Sequence, residues 1–187
     1  APEHPFPCGL HDCCDAVAYA RDNAALLGID ASRISAGGDS SGGNLALAVA
    51  LSDECRGALE SLVLIYPVTK AFADGSESWR KYGYGLDADL MEAFNRAYLG
   101  GTDSENHAVS VGLCSGEQLR RLPRTLLVAA GRDILRDQGC ELAEKSGGRI
   151  ERVEFPDAVH LFITVPGQDE AFRKAVDLTY EFITQKQ

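Results

Sequence analysis

Residues 38–42, Gly-Asp-Ser-Ser-Gly, form a GxSxG pentapeptide at the point where a short apolar run, RISA (33–36), gives way to the nearly uncharged helix-forming tract SGGNLALAVAL (41–51). A serine hydroxyl attacks a carbonyl only when a base removes its proton. The pattern alone is common, and its setting carries the information. In a nucleophile elbow the serine occupies a strained strand-to-helix turn whose flanks leave no room for bulky side chains. Gly38 and Gly42 relieve that crowding, Gly43 extends the glycine cluster, and Asp39 fills the variable position. Of the two serines only Ser40 has the required spacing, because a nucleophile at position 41 would need glycine where Asp39 stands. A helix starting there aims its unpaired N–H groups and positive dipole end at charge forming on a bound carbonyl, so the backbone amide of Ser41 is the candidate oxyanion donor.

The base and the group that orients it must arrive from later strand ends. Asp133 lies in GRDILRDQG, just beyond the run TLLVAAG (125–131), and His160 lies in DAVHLF, just beyond IERVEF (150–155). Both fall where open α/β sheets build their sites, and the chain order Ser, Asp, His is that of α/β hydrolases. Asp137 competes for the carboxylate role but is placed to cap the next helix, so Asp133 is preferred. His4, His11 and His107 do not follow strand candidates and are read as structural or solvated. A phosphate-cradling turn is the competing reading of GGDSSGG, yet the segment lacks a GK[ST] ending and no GxGxxG follows the strand.

The elements that would position these residues are legible from periodicity. Apolar residues at helical spacing over 9–27 predict a core-facing helix stopped by Gly28, and further helices are expected over 41–54, 87–99, 137–146 and 169–184. The runs SLVLIYP (61–67) and TLLVAAG are too short for helices and fit strands buried on both faces, while IERVEF alternates and belongs nearer an edge. Strands alternating with helices predict an α/β fold, a mostly parallel sheet with helices on both faces. Residues 68–86 are polar and aromatic without period and read as an excursion from the sheet.

At 187 residues the chain suits one domain, and 45% hydrophobic with 25% charged residues excludes disorder. A net charge of -10 argues against nucleic acid as a partner. Six dispersed cysteines show no framework spacing and read as buried free thiols, consistent with a reducing cytoplasm. No CxxC or HExxH supports a metal site, and no run reaches the length of a membrane span.

APEHPFP (1–7) before a helix, Asp30-x-Ser32-Arg33-Ile34 leading into GDSSGGNLA, the strand end Tyr66-Pro67, GRDILRDQG and the histidine loop together resemble the hormone-sensitive-lipase-like branch of the α/β-hydrolase superfamily, which includes bacterial acetyl esterases and plant gibberellin receptors. The resemblance covers essentially the whole chain. It implies hydrolysis of short-chain carboxylic esters with Ser40 as nucleophile, His160 as base and then acid, and Asp133 orienting the histidine, without metal or organic cofactor. It also implies that residues 68–110 contribute part of a cap. Receptor members replace the catalytic histidine, and here His160 is retained. Nothing reads HGGG, the loop that completes the family's oxyanion hole, so the chain is expected to be the C-terminal part of such a domain, with activity reduced. The strand at 33–36 would then expose an edge through which copies self-associate. The alternative expectation is a non-catalytic remnant that binds a small apolar ligand or a partner chain.

Overall fold

The apolar run Leu62-Val63-Leu64 and the longer run from Leu126 to Ala130 leave no polar face, so each must be covered on both sides. The computed structural model describes residues 1–185 and places both runs at the centre of a four-stranded parallel sheet, in the order β1 (Ser35–Asp39), β2 (Ser61–Ile65), β3 (Arg124–Arg132) and β4 (Ile150–Val159). Successive side chains point to opposite faces. Leu62, Leu64, Leu127 and Ala129 pack into a layer with α1 (Cys8–Asp22), α3 (Ser41–Leu51) and α7 (Arg136–Lys145). Val63, Leu126, Val128 and Ala130 instead meet Phe162 and the inner face of α8 (Asp169–Thr184). Parallel pairing and helices on both faces agree with expectation, and β4 is an edge strand, as its alternation indicates.

Between β2 and β3 the chain leaves the sheet, through α4 (Glu77–Lys81), α5 (Ala88–Leu99), a 3-10 turn (Val111–Leu113) and α6 (Gly116–Leu119). This excursion is less irregular than its sequence indicates. Trp79, Leu86 and Met91 pack with Val68, Ile134 and Leu135 into a small core of their own.

Several boundaries differ from the sequence reading: β1 begins two residues later than the expected strand at 33–36 and runs on to Asp39, and at two helix ends a polar side chain competes for the backbone. The helix predicted over 9–27 breaks at Asn23, whose Nδ2 donates to the Tyr19 carbonyl at 2.9 Å. The short α2 (Ala24–Leu27) that follows buries none of its residues. α3 stops at Leu51 rather than 54, where Ser52 Oγ donates to the Val49 carbonyl and accepts from Cys55 N. β4 runs on to Val159 through an irregularity opposite Gly131, where Pro156 lies so close that a Cβ on Gly131 would sit 2.5 Å from its carbonyl oxygen. All six cysteines are unpaired, but only Cys14, Cys55 and Cys114 are buried, while Cys8 is exposed. No helix among the described residues is long and apolar enough to cross a membrane.

The turn from β1 into α3 is tight in one specific place. A Cβ on Gly38 would lie 2.4 Å from the carbonyl carbon of Gly42, and one on Gly43 would lie 2.7 Å from Pro67 Cβ. Gly42 itself has open space, with no atom within 4 Å of its hypothetical Cβ. Crowding therefore requires glycine at 38 and 43 but not at 42, which corrects the reading of Gly42 as relief of crowding. Gly38→Ala is expected to lower stability by about 3 kcal/mol, the upper range for overpacking against an unyielding neighbour. Gly42→Ala, inside a helical turn, is expected to be neutral or to add roughly 0.5–1 kcal/mol. Urea unfolding midpoints of the two variants check the contrast.

Candidate active site

Four residues follow the carboxyl ends of the four strands: Ser40 after β1, Tyr66 after β2, Asp133 after β3 and His160 after β4. Parallel pairing brings these ends to one edge, so positions far apart in the chain become neighbours. Ser40 has φ 50° and ψ −114°, in the region that L residues avoid. The bend is held at the backbone. Ser40 N donates to the Ile65 carbonyl at 2.9 Å, while the Ser40 carbonyl accepts from Val68 N at 3.1 Å and from Asn44 N at 3.2 Å.

Ser40 Oγ lies 3.1 Å from His160 Nε2, and His160 Nδ1 lies 2.7 Å from Asp133 Oδ2. The histidine and the aspartate are almost wholly buried, at 2% and 1% exposure, so water does not compete for their shared hydrogen bond. The second carboxylate oxygen of Asp133 accepts from Leu135 N at 2.9 Å, which fixes the carboxylate plane. With Nδ1–H donated to Asp133, Nε2 carries the lone pair that faces the serine. Such a chain can draw the proton from Ser40 as Oγ attacks a carbonyl.

Asp137, the competing carboxylate, is not brought to the histidine. It is not the cap of α7 either, since that helix starts one residue earlier, after Leu135. Its Oδ2 accepts instead from Ser78 N at 2.8 Å, which ties the excursion to α7. Ser41 occupies the first position of α3, where the backbone N–H has no partner within the helix.

Three neighbours of the site escaped the sequence reading as contributors to its geometry. Tyr66 has φ 37° and packs against His160 with its ring tilted by 53° and the ring centroids 4.7 Å apart. Burial, and then the Asp39 carboxylate, push its phenol well above the ordinary range and keep it neutral. Gly85, at φ 84°, passes so near the histidine loop that a Cβ would stand 2.8 Å from the His160 carbonyl oxygen. Buried Asn44 donates through Nδ2 to the carbonyls of Val68 at 3.1 Å and Val109 at 2.7 Å. A polar residue inside the otherwise apolar tract of α3 was the one available signal, because a buried amide needs partners.

Residues 1–164 match the model of a family described by its alpha/beta hydrolase fold. A carboxylesterase of Mycobacterium tuberculosis is 35% identical over 188 residues, covering 91% of this chain and 57% of that protein. An ethyl acetate hydrolase of Pseudomonas putida is 31% identical over 193 residues, covering 99% of this chain and 60% of the relative. The solved structure of an esterase from Pyrobaculum calidifontis superposes with a TM-score of 0.87 at 32% identity, covering 98% of this chain and 62% of that one. The chain thus spans between half and two thirds of the length of these relatives. Strand order, strand-end site and family match agree: the chain belongs to the α/β-hydrolase fold family, in its hormone-sensitive-lipase-like branch.

Proposed function

We propose that the chain carries the catalytic residues of a serine carboxylesterase acting on short-chain acyl esters. The observation that supports this most directly is the unbroken hydrogen-bonded line from Ser40 Oγ through His160 to Asp133, at 3.1 and 2.7 Å. In this reading Ser40 Oγ forms a bond to the ester carbonyl carbon while its proton passes to His160 Nε2. The tetrahedral oxyanion takes a hydrogen bond from Ser41 N–H. On collapse the carbon–alkoxide bond breaks, and the alcohol leaves with the proton from Nε2. Water then attacks the acyl-serine with His160 as base, Ser40 is regenerated and the carboxylic acid departs. Asp133 holds the imidazole tautomer and balances its positive charge. Neither metal nor organic cofactor takes part in these steps.

A short acyl chain is favoured by the similarity to an ethyl acetate hydrolase and by the modest cavity, about 430 Å³, beside Ser41. Residues 68–110 act as part of a cap, a role supported by the contacts of Asn44 with Val68 and Val109 and of Gly85 with the histidine loop. Six unpaired thiols favour a reducing cytoplasm. Among the described residues β1 pairs with β2 alone, so its outer N–H and C=O groups form an open edge preceded by exposed Leu26, Leu27 and Ile29. Self-association of two copies through that edge follows. Light scattering at micromolar concentration is expected to report a dimer or larger species, and a monodisperse monomer overturns it.

Labelling by a fluorophosphonate probe and hydrolysis of p-nitrophenyl acetate are expected of the folded chain and lost in Ser40→Ala, with kcat falling by roughly 10⁴- to 10⁶-fold. Asp133→Asn is expected to lower kcat by about 10⁴-fold with little change in KM, because the wrong tautomer faces the serine. Labelling that survives Ser40→Ala sinks the assignment. A folded, unlabelled chain supports the second reading, a non-catalytic module in which the cavity beside Ser41 holds a small apolar ligand.

A further inference from the structure

The cavity of about 430 Å³ opens at the start of α3, between Ser41 and Asn44 on one side and Met91, Asn95 and Tyr98 of α5 on the other. Its walls are mostly apolar, and of the polar side chains that line it (His4, Ser41, Asn44, Asn95 and Tyr98) two carry buried atoms without a hydrogen-bond partner. Asn95 is only 8% exposed, yet its Nδ2 has no acceptor among the described residues. Tyr98, one turn further along the same helix face, buries a hydroxyl that likewise has no partner. A donor left unpaired away from water costs stability and calls for a reason.

The position of the cavity relative to the proposed reaction decides which part of an ester would enter it. The leaving alcohol must receive a proton from His160 Nε2 and so lies on the histidine side, where Tyr84 and Val159 line a separate hollow. No residue of the histidine loop, 157–166, lines the α5 cavity, which is reached past Ser41. The acyl chain extends that way.

We infer that Asn95 makes this cavity selective for acyl chains that carry a hydrogen-bond-accepting oxygen, an ether, keto or hydroxyl group, away from the ester carbonyl. The inference rests on ester hydrolysis at Ser40 as proposed above. Rotation about χ2 of asparagine is broad and soft. Turning the carboxamide about χ2 exchanges Nδ2 with Oδ1 and costs Nδ2 no existing acceptor, and in the cavity a substrate oxygen gives it its first partner. A purely alkyl chain leaves the group unpaired, and a site built around a polar group rejects the analogue that lacks the matching atom.

The test uses p-nitrophenyl hexanoate and three analogues with an ether oxygen in place of the methylene at position 3, 4 or 5, each assayed on the native chain and on Asn95→Leu. At least one analogue is expected to exceed hexanoate in kcat/KM by about tenfold relative to the same ratio in Asn95→Leu, a comparison in which intrinsic ester reactivity cancels. The corresponding amides, which are not turned over, are titrated by NMR. The favoured analogue is expected to bind the native chain about tenfold more tightly than hexanamide. Hydrolysis with ratios unchanged by the substitution, or equal amide affinities in the native chain, overturns the role of Asn95. Absence of hydrolysis of every ester overturns the esterase reading and the acyl assignment with it, and the amide affinities then still decide whether Asn95 recognises an oxygen.

Discussion

The site depends on a backbone clamp at Ser40. Holding a non-glycine residue at φ 50° costs about 1–3 kcal/mol, which local sequence cannot supply. The compensation comes largely from outside the turn: Ile65, at the end of the neighbouring strand, accepts from its N–H and Val68 donates to its carbonyl, which also takes the first helical bond of α3 from Asn44. Each such bond contributes about 1 kcal/mol net, so three are of the size needed to hold the bend. The serine therefore points outward because β2 and α3 are already in place. Gly38 and Gly43 allow that approach, since a methyl group on either would force Gly42 or Pro67 away.

Given that clamp, reach follows from sheet geometry. Adjacent parallel strands lie roughly 4.8 Å apart, so Ser40 and Asp133, which follow strands separated by β2, stand too far apart to touch. An imidazole spans the gap. β4 brings His160 in from beyond β3, and the irregularity at Gly131 and Pro156 shifts the end of β4 so that Val159 pairs with Arg132, immediately before Asp133. The ladder break is tolerated because β4 is an edge strand, where Pro156 forfeits no inner hydrogen bond. Tyr66, after the strand in between, fills the space under the ring.

What was legible in the sequence is what has a period or a short-range rule. β2 and β3 stood out because burial on both faces demands continuous apolar runs, and the glycine cluster stood out because the turn demands small residues. Ser40, Asp133 and His160 could be placed at strand ends by that logic alone. The strand expected at RISA (33–36) lies at Ser35–Asp39 instead, running into the glycine motif, because pairing with β2 rather than apolar content sets its bounds. Asn23 and Ser52 were not legible, because each depends on which backbone group its side chain takes, and the register shift in β4 was not, because it depends on the approach of Pro156 to Gly131 across the strand pair. Asp137 shows the same limit: its chemistry suited a cap, and the approach of Ser78 from another segment decided its use.

The excursion between β2 and β3 is joined to every element that carries a residue of the proposed triad. Asn44, on the first turn of α3, binds both ends of it through Val68 and Val109. Gln138 of α7 accepts from Thr69 N and Lys70 N, at 2.6 and 2.9 Å, close behind Asp133. Gly85 rests against the carbonyl of His160. A segment fixed at these points cannot shift without disturbing Ser40, Asp133 and His160, and displacements near 1 Å can cost on the order of 10²-fold in rate. α5 forms the far wall of the cavity beside Ser41, and Asn44 lines the same cavity from α3. In the proposed reaction selectivity and reactivity therefore share supports, and the apolar contacts of Trp79, Leu86 and Met91 in the excursion are as much a condition of the proposed site as the hydrogen bonds within it.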